Sequence, residues 1–172
     1  DHVEQIVFRP PAMVDLLERA IRLAAKVHKG QLDRSNKPYI LHVMRVMMRG
    51  HDLEEQVLGA LHDVLERSPL TADDLRAKGF PPRILKALEH ISRRGDEDYD
   101  GYIDRVVQDG LAMRVKLHDL ADKMDLLQVD QLSVADLRRY NKQLAAYHRM
   151  KKLLEEARAN MPIQVKRTRT SA

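Results

Sequence analysis

The adjacent pair His62-Asp63 has clear potential for chemistry, because both side chains can be directed toward one point inside the protein. Neighbouring helical residues project about 100° apart, and Glu66 follows one turn later on the same face. Apolar residues flank all three groups, and burying them without partners would cost several kcal/mol. A divalent metal is a suitable partner, since imidazole and carboxylate groups suit manganese, iron or zinc. A solvated patch on the helix surface is the alternative interpretation.

Two further segments carry the same residue types. His42 lies at the start of a short predicted helix, and a second pair, His118-Asp119, lies within a later one. One histidine, an adjacent His-Asp pair and a distant aspartate form a nitrogen and oxygen ligand set of the octahedral type. Such a set leaves positions open for water. These segments therefore predict a metal centre assembled from three separated parts of the chain.

The composition indicates a small globular protein and excludes several kinds of site. The chain has 172 residues, of which 44% are hydrophobic and 33% charged, a size that suits one domain with its own core. Cysteine is absent, which excludes disulfides, thiolate metal sites and cysteine nucleophiles. No apolar run is long enough to span a bilayer, and residues 1–10 lack a signal-peptide pattern. We therefore expect a cytoplasmic protein with no membrane partner.

The charge of the chain is mildly basic, with a formal net value of +4. This charge suits a phosphorylated small molecule but is too small for a strong nucleic-acid footprint, so we expect no nucleic-acid partner. Residues 161–172 are polar and basic and are predicted to form a disordered tail. Residues 1–160 are predicted to form a single domain.

Apolar residues recur at helical spacing along nearly the whole chain, which predicts an all-α bundle of seven or eight helices. Glycine and proline residues divide this pattern into segments. The predicted helices cover 13–28, 39–48, 53–66, 71–79, 81–91, 99–108, 111–127 and 133–159. The apolar side of the last helix suits either the core or a homodimer interface, and the pattern leaves both open.

Four segments resemble the HD-domain phosphohydrolases of the (p)ppGpp hydrolase group, which includes the hydrolase domains of Rel/Spo homologues and small stand-alone relatives. The segments are His28-Lys29-Gly30-Gln31, Pro38-Tyr39-Ile40-Leu41-His42, Leu61-His62-Asp63-Val64-Leu65-Glu66 and Val115-Lys116-Leu117-His118-Asp119. The resemblance covers about residues 15–155, with the motifs in the family's order. It implies the all-α HD fold.

The resemblance also implies roles at the metal centre. His42, His62, Asp63 and Asp119 match the family's four metal ligands, and the family metal is typically manganese. Glu66 matches the first acid of a Glu-Asp pair that helps to activate the attacking water. We therefore expect a Mn²⁺ ion, or another divalent metal, as the cofactor.

Basic and polar residues near this centre are expected to bind the phosphates. The resemblance implies nucleotide contacts for Arg34 and Ser35, and it places Lys123 where the family usually has a nucleotide-binding asparagine. Arg138 and Arg139 lie in the first turn of the last helix, where the helix dipole disfavours cations. Their position hints at an anionic partner, and we include Arg138 in the expected substrate site.

The departures from the family pattern affect the expected function. Arg67 stands in place of the second acid of the Glu-Asp pair, and an arginine cannot act as a base at neutral pH. Its planar fork can instead bind a phosphate with two hydrogen bonds. His118 stands where the family has a small residue, and we interpret it as a packed side chain or an extra hydrogen-bond donor near the metal.

The resemblance implies a metal-dependent nucleotide phosphohydrolase. Its most specific form is hydrolysis of the 3′-pyrophosphate of (p)ppGpp, with water as the attacking group and pyrophosphate as a product. Two alternatives stay open. One is hydrolysis of another phosphorylated nucleotide, and the other is a non-catalytic HD protein that binds a nucleotide as a sensor, which the arginine at position 67 favours.

Overall fold

The computed structural model describes residues 10–161, and within them the chain forms eight α-helices and one 3₁₀ turn. The helices are α1 (Pro10–Val27), α2 (Tyr39–Met48), α3 (Leu53–Leu61), α4 (Ala72–Ala77), α5 (Pro82–Ile91), α6 (Tyr99–Val106), α7 (Gly110–Lys123) and α8 (Val134–Ala159). The 3₁₀ turn, Leu126–Gln128, lies between α7 and α8. In this range the only strand-like feature is an isolated pairing of Leu32 with Pro38, so the predicted all-α class is confirmed.

The predicted basic tail, residues 161–172, falls outside the described residues except for Met161. The boundary between domain and tail therefore stays a prediction.

Side-chain caps define the beginnings of five helices. In each case the residue before the first turn accepts a hydrogen bond from the backbone N–H three residues later, and a cap of this kind contributes about 1 kcal/mol. The capping residues are Asp52, Thr71, Asp98, Asp109 and Ser133. Thr71 and Ser133 form complete capping boxes with Asp74 and Asp136, which satisfy a backbone donor in return.

Helix α3 lies at the centre of the bundle, where it packs against α1, α2, α5 and α7. Its residues Val57, Leu58, Ala60 and Leu61 are fully buried. Burial of each large aliphatic side chain contributes about 1.5–3 kcal/mol. The end of α3 is therefore held firmly in the core, and His62 follows it directly.

Gly59 allows α2 and α3 to approach closely. A Cβ atom at this position would lie 2.8 Å from the Cα atom of Met47 and 3.1 Å from its backbone nitrogen. A side chain here would therefore push the two helices apart, and only glycine avoids the collision. This contact brings α2, which carries His42, against the end of α3, which precedes His62.

The predicted extent of the third helix, 53–66, is wrong at its C-terminal end. The helix ends at Leu61, and residues 62–66 form successive turns. The ring Nδ1 of His62 donates to the carbonyl of Gly59, which a continuing helix would pair with the N–H of Asp63. The N–H of Val64 instead bonds to the carbonyl of Leu61, closing a tighter turn. His62, Asp63 and Glu66 therefore lie in turns rather than on one helical face.

Helix α8 covers one side of the bundle and packs against α7. Ala146 and Met150 are buried in the core, whereas Leu137 and Leu144 are about half exposed. The apolar side of this helix thus serves the core in part, and a dimer contact through its exposed residues stays a prediction. Among residues 10–161, every helix is too short or too polar to cross a lipid bilayer.

Candidate active site

Three buried side chains from α2, the turn after α3, and α7 converge on one point. Nε2 of His42, Nε2 of His62 and Oδ1 of Asp119 all lie within 4.8 Å of one another. Oδ1 of Asp119 is 3.1 Å from Nε2 of His42 and 3.6 Å from Nε2 of His62. The Nε2 atoms of both histidines are buried without a hydrogen-bond partner. Two imidazole nitrogens and a carboxylate oxygen are a donor set that suits a divalent transition metal, so the residues present fit such an ion.

Both histidine rings are oriented by a hydrogen bond at Nδ1. His42 donates to Oδ2 of Asp122 at 2.7 Å, and His62 donates to the carbonyl oxygen of Gly59 at 2.7 Å. Asp122 is itself held by two bonds from Arg45, at 2.7 and 3.1 Å. A bond of this kind fixes the tautomer, so that the Nε2 lone pair points into the centre.

Asp63 lies at the edge of the same cluster. Its Oδ2 is 3.1 Å from Nε2 of His62 and 3.9 Å from Nε2 of His42. The hydroxyl of Tyr39 donates a hydrogen bond to this same oxygen. The structure thus brings together all four residues that the sequence predicts as ligands, with Asp63 shared between the centre and a tyrosine.

Two lysines neutralise Asp119. The ammonium group of Lys116 lies 2.7 Å from Oδ2 of Asp119, and that of Lys123 lies 3.0 Å from Oδ1. Burial alone would raise the pKa of this carboxyl, but Lys116 and Lys123 outweigh burial and hold the pKa well below its usual range. Asp119 is therefore ionised, as a metal ligand must be.

The centre also contains a group that binds a proton strongly. Burial lowers the pKa of His62, but the carboxylates of Asp63 and Asp119 outweigh this effect and raise the pKa to about 10. In the absence of a metal, His62 therefore holds a proton on Nε2 at neutral pH, and a divalent ion would have to displace that proton to use the nitrogen as a ligand.

A cavity of about 890 Å³ opens onto the centre and is large enough for a nucleotide. Arg34, Ser35 and Lys123, which were predicted to contact the substrate, all line it. Arg138 does not line the cavity, whereas Arg139 does, because the start of α8 turns the second of the two arginines inward. The hydroxyl of Tyr99 and Oε1 of Gln143 also belong to lining residues and have no hydrogen-bond partner.

Glu66 lines the cavity and is held in place from the loop between α5 and α6. Its Oε1 accepts a hydrogen bond from the backbone N–H of Arg93 at 2.6 Å. Partial removal from water, followed by the nearby charge of Asp63, raises the pKa of Glu66 above its usual value. A carboxylate with a raised pKa is a better proton acceptor at neutral pH.

Arg67 lines the cavity through a contact with an aromatic ring. Its guanidinium carbon lies 3.5 Å from the centroid of the Tyr39 ring, in a cation–π arrangement. Within residues 10–161, neither Arg67 nor Arg34 forms an ion pair with a carboxylate, so both positive charges face the cavity uncompensated by a direct partner. The tyrosine thus joins two groups, since its ring supports Arg67 while its hydroxyl binds Asp63.

Two of the conspicuous histidines lie away from the convergence point. His118 does not line the large cavity, and its Nε2 bonds to Oε2 of Glu55 at 3.0 Å. His28 is buried, and its Nδ1 pairs with Oε1 of Gln31 at 2.9 Å. Of the two interpretations of His118, a packed side chain is the one that this geometry matches.

Sequence reasoning missed the residues that orient the ligands. Asp122 and Arg45 fix the His42 ring, and Tyr39 fixes Asp63. The spacing of Asp122, three residues after Asp119, was a visible signal that both lie on one face of a helix. The contact of Asp122 with His42, however, joins residues 80 positions apart and needs the tertiary fold.

Comparison with known proteins finds relatives among the enzymes of (p)ppGpp metabolism. No protein-family model matches the chain. The chain is 26% identical over 141 residues to guanosine-3′,5′-bis(diphosphate) 3′-pyrophosphohydrolase of Aquifex aeolicus, a match that covers 75% of this chain and 20% of the relative. It is 35% identical over 138 residues to a GTP pyrophosphokinase of Myxococcus xanthus, covering 70% of this chain and 18% of the relative. The chain thus spans about a fifth of the length of these curated relatives.

The fold has a solved counterpart of similar size. The structure described as a metazoan ortholog of SpoT that hydrolyzes ppGpp superposes with a TM-score of 0.64 at 18% identity, covering 83% of this chain and 95% of that protein. The chain is a (p)ppGpp hydrolase-like HD-domain protein. The buried group of His42, His62 and Asp119 in this HD domain could hold a divalent metal.

Proposed function

We propose that this HD domain is a metal-dependent nucleotide phosphohydrolase that removes the 3′-pyrophosphate of (p)ppGpp. The observation that carries the proposal is the buried convergence of His42, His62 and Asp119, whose two imidazole nitrogens and one carboxylate oxygen face one another beneath a cavity of nucleotide size. The names of the relatives support the substrate, since those from Aquifex aeolicus and Borreliella burgdorferi are both called 3′-pyrophosphohydrolases. A cytoplasmic location fits this role, because nucleotides are held there.

The metal would be held by His42, His62, Asp63 and Asp119, and we propose Mn²⁺. When bound, such an ion supplies a Lewis acid that lowers the pKa of water and polarises a phosphate oxygen. Imidazole together with carboxylate suits manganese, and the absence of cysteine removes the thiolate ligands that would favour softer ions. Asp122 and the carbonyl of Gly59 keep both histidine rings turned toward this position.

Glu66 is proposed to receive the proton of the attacking water. The water oxygen forms a bond to the phosphorus attached to the ribose 3′-oxygen, and the bond between that phosphorus and the 3′-oxygen breaks. The 3′-oxygen gains a proton, and pyrophosphate leaves. The raised pKa of Glu66 and the hydrogen bond from the Arg93 backbone suit this role, because the first makes the carboxylate a stronger proton acceptor and the second fixes its direction.

The cations around the cavity are proposed to bind the phosphates. Arg34 and Arg67 are free of carboxylate partners in the described structure, and Lys123 reaches from the metal centre to the cavity wall. Charge-assisted hydrogen bonds from such groups to phosphate oxygens are about twice as strong as neutral ones. Arg67 in this view is a phosphate ligand rather than a proton carrier, and Arg139 takes the place at α8 that was predicted for Arg138.

A non-catalytic role has one specific observation in its favour. Lys123 stands where the family usually has an asparagine, and its ammonium group lies 3.0 Å from Oδ1 of Asp119, the oxygen that faces the two histidines. A cation bound to this oxygen competes with a metal ion for it. A domain with weakened metal binding would keep the nucleotide cavity and act as a sensor.

The deciding experiment measures Mn²⁺-dependent release of pyrophosphate from ppGpp, beside a panel of ordinary nucleotides. We expect release from ppGpp that disappears in the variants His62→Ala and Asp63→Ala. Activity on a different nucleotide would keep the mechanism and replace the substrate. Absence of turnover on every nucleotide, with nucleotide still bound, would replace catalysis by the sensor role.

A further inference from the structure

A second group of potential metal ligands lies outside the large cavity. Nδ1 of His51, Oε2 of Glu55 and Nε2 of His118 all lie within 4.8 Å of one another. Oε2 of Glu55 is 3.2 Å from Nδ1 of His51 and 3.0 Å from Nε2 of His118. None of the three residues lines the nucleotide cavity, and none has a role in the proposed reaction.

The carboxylate of this group is fixed before any ion arrives. Glu55 is only 2% exposed, and its other oxygen, Oε1, accepts a bond from Nε of Arg114 at 2.6 Å. The backbone N–H of His51 also donates to Oε2, at 3.0 Å. The charged and hydrogen-bonded neighbours His51, His118 and Arg114 lower the pKa of Glu55 to about 2 despite its burial. The carboxylate is thus ionised, with Oε1 bound to Arg114 and Oε2 facing two imidazole rings.

The His51 and His118 rings come from different parts of the fold, and the site between them is accessible to an ion from solvent. His51 belongs to the loop before α3 and its side chain is 79% exposed, whereas His118 belongs to α7. The ring centroids are 5.3 Å apart and inclined by 39°. A cavity of about 150 Å³ adjoins both rings, and Glu155 of α8 also lines it. There is room for water molecules to complete a coordination shell.

We propose that His51, Glu55 and His118 form a second metal site that binds a divalent transition ion of the zinc type. Two imidazole nitrogens and one carboxylate oxygen, with water completing the shell, are a known ligand set for zinc. In the free protein the two rings donate hydrogen bonds to Glu55. On binding an ion, each ring would carry its proton on the other ring nitrogen, so that the nitrogen next to Glu55 offers its lone pair to the metal. Such an ion ties the loop before α3 to α7.

The two centres are neighbours in the chain but separate in space. His118 and Asp119 are adjacent on α7, where successive side chains project about 100° apart. The Asp119 carboxylate lies next to His42 and His62, whereas the His118 ring is hydrogen-bonded to Glu55. The second site therefore does not depend on the proposed reaction, and either centre can be disabled alone.

The experiment counts zinc ions bound to the full chain by equilibrium dialysis against Zn²⁺. We expect two ions per wild-type chain, one in His51→Gln, one in His118→Gln and one in His62→Gln. The matched control is His148→Gln, which replaces an exposed histidine of α8 and is expected to keep both ions. Circular dichroism and thermal melting verify that each variant is folded.

A second measurement reports the ligands around the bound ion instead of the number of ions. Co²⁺ replaces Zn²⁺ and gives visible absorption bands that depend on its ligands. We expect His51→Gln and His118→Gln to change the same bands, and His62→Gln to leave those bands in place. The proposal is overturned if His62→Gln removes all bound zinc, or if His51→Gln and His118→Gln retain as many ions as the wild type. If His62→Gln loses an ion while His51→Gln and His118→Gln both keep two, the second site is ruled out. Failure to turn over any nucleotide would count only against the proposed reaction.

Discussion

Oδ2 of Asp122 lies 2.7 Å from Nδ1 of His42. The bond joins the end of α7 to α2 and fixes which nitrogen of the ring faces the metal centre. Arg45, three residues after His42 on α2, completes the arrangement by donating two hydrogen bonds to the same carboxylate. The His42 ring is thus held by the Asp122 carboxylate, which is itself held by Arg45.

This relationship predicts a loss of metal affinity in Asp122→Asn. The variant keeps the size of the side chain but removes the charge that orients and polarises His42, so the affinity for Mn²⁺ should fall about 10–100-fold. Titration of Mn²⁺ followed by the electron paramagnetic resonance signal of the free ion measures it. Asp96→Asn, in an exposed loop, is the control and should bind as the wild type does. Unchanged affinity in Asp122→Asn would remove the positioning role.

The role proposed for Glu66 predicts how kcat/KM changes with pH on the acid side of the profile. Because the ionised carboxylate is the form that accepts a proton, kcat/KM should fall as the pH drops through the pKa of Glu66, which lies above the ordinary value of 4.5. Glu66→Gln should lower kcat by about 10²–10⁴-fold. It should also remove this limb of the profile, as measured by initial rates across pH. A Glu66→Gln variant that keeps both the wild-type rate and the fall of kcat/KM at low pH would show that another group accepts the proton.

Arg67 predicts a defect in phosphate binding. Loss of a charge-assisted hydrogen bond costs about 1.5–3 kcal/mol, which corresponds to roughly a 10–150-fold fall in kcat/KM for Arg67→Asp. Arg67→Lys keeps the charge without the planar fork and should recover part of the loss. Arg94→Asp, an exposed change in the loop after α5, is the comparison variant. An increase in turnover in Arg67→Asp would instead identify the position as that of a missing acid.

The ion pair of Glu97 with Arg105 predicts a pH-dependent stability. Arg105 binds both oxygens of Glu97, at 2.9 and 2.6 Å, and lowers the pKa of Glu97 to about 2. Since the pKa is lower in the folded state, the stabilisation is complete above pH 4.5 and is lost as the pH falls toward 2. Glu97→Gln should cost roughly 1 kcal/mol at pH 6, because solvent screens part of the pair. Urea unfolding of both proteins at several pH values measures this, and a constant difference down to pH 2 would contradict it.

Gly59 predicts a strict limit on side-chain size between α2 and α3. Gly59→Ala would place a Cβ atom 2.8 Å from the Cα atom of Met47, so a helix must move, at a cost of about 1–3 kcal/mol. Gly95→Ala is the matched change, because nothing lies within 4 Å of its Cβ position. Thermal melting should separate the two variants. Equal melting temperatures would mean that the two helices adjust freely.

The helices and several of their ends were predictable because the signals are local. Thr71 with Asp74 is a capping pattern readable within four residues, and the structure forms it. The end of α3 was not predictable in this way. Val64 and Leu65 continue the apolar helical pattern, and only the bond from the His62 ring to Gly59 shows that the helix stops earlier.

The residues of the candidate metal centre were easier to predict from the sequence than their geometry. The types and order of His42, His62 and Asp119 were sufficient to expect that they meet. The direction of the His118 side chain, away from the metal centre, could not be predicted, because its partner Glu55 lies 63 positions away and no local pattern joins them. The choice of Arg139 over Arg138 at the cavity likewise depends on the rotation of α8, which its neighbours in the bundle determine.

The two ammonium groups that flank Asp119 have a consequence for how the protein matures. Lys116 and Lys123 already balance the carboxylate before any ion binds, so the negative charges at the centre do not drive the helices apart in the metal-free protein. The newly made chain can therefore fold first and acquire its metal afterwards. Metal supply would then set how much of the protein is active, while the amount of folded protein stays the same.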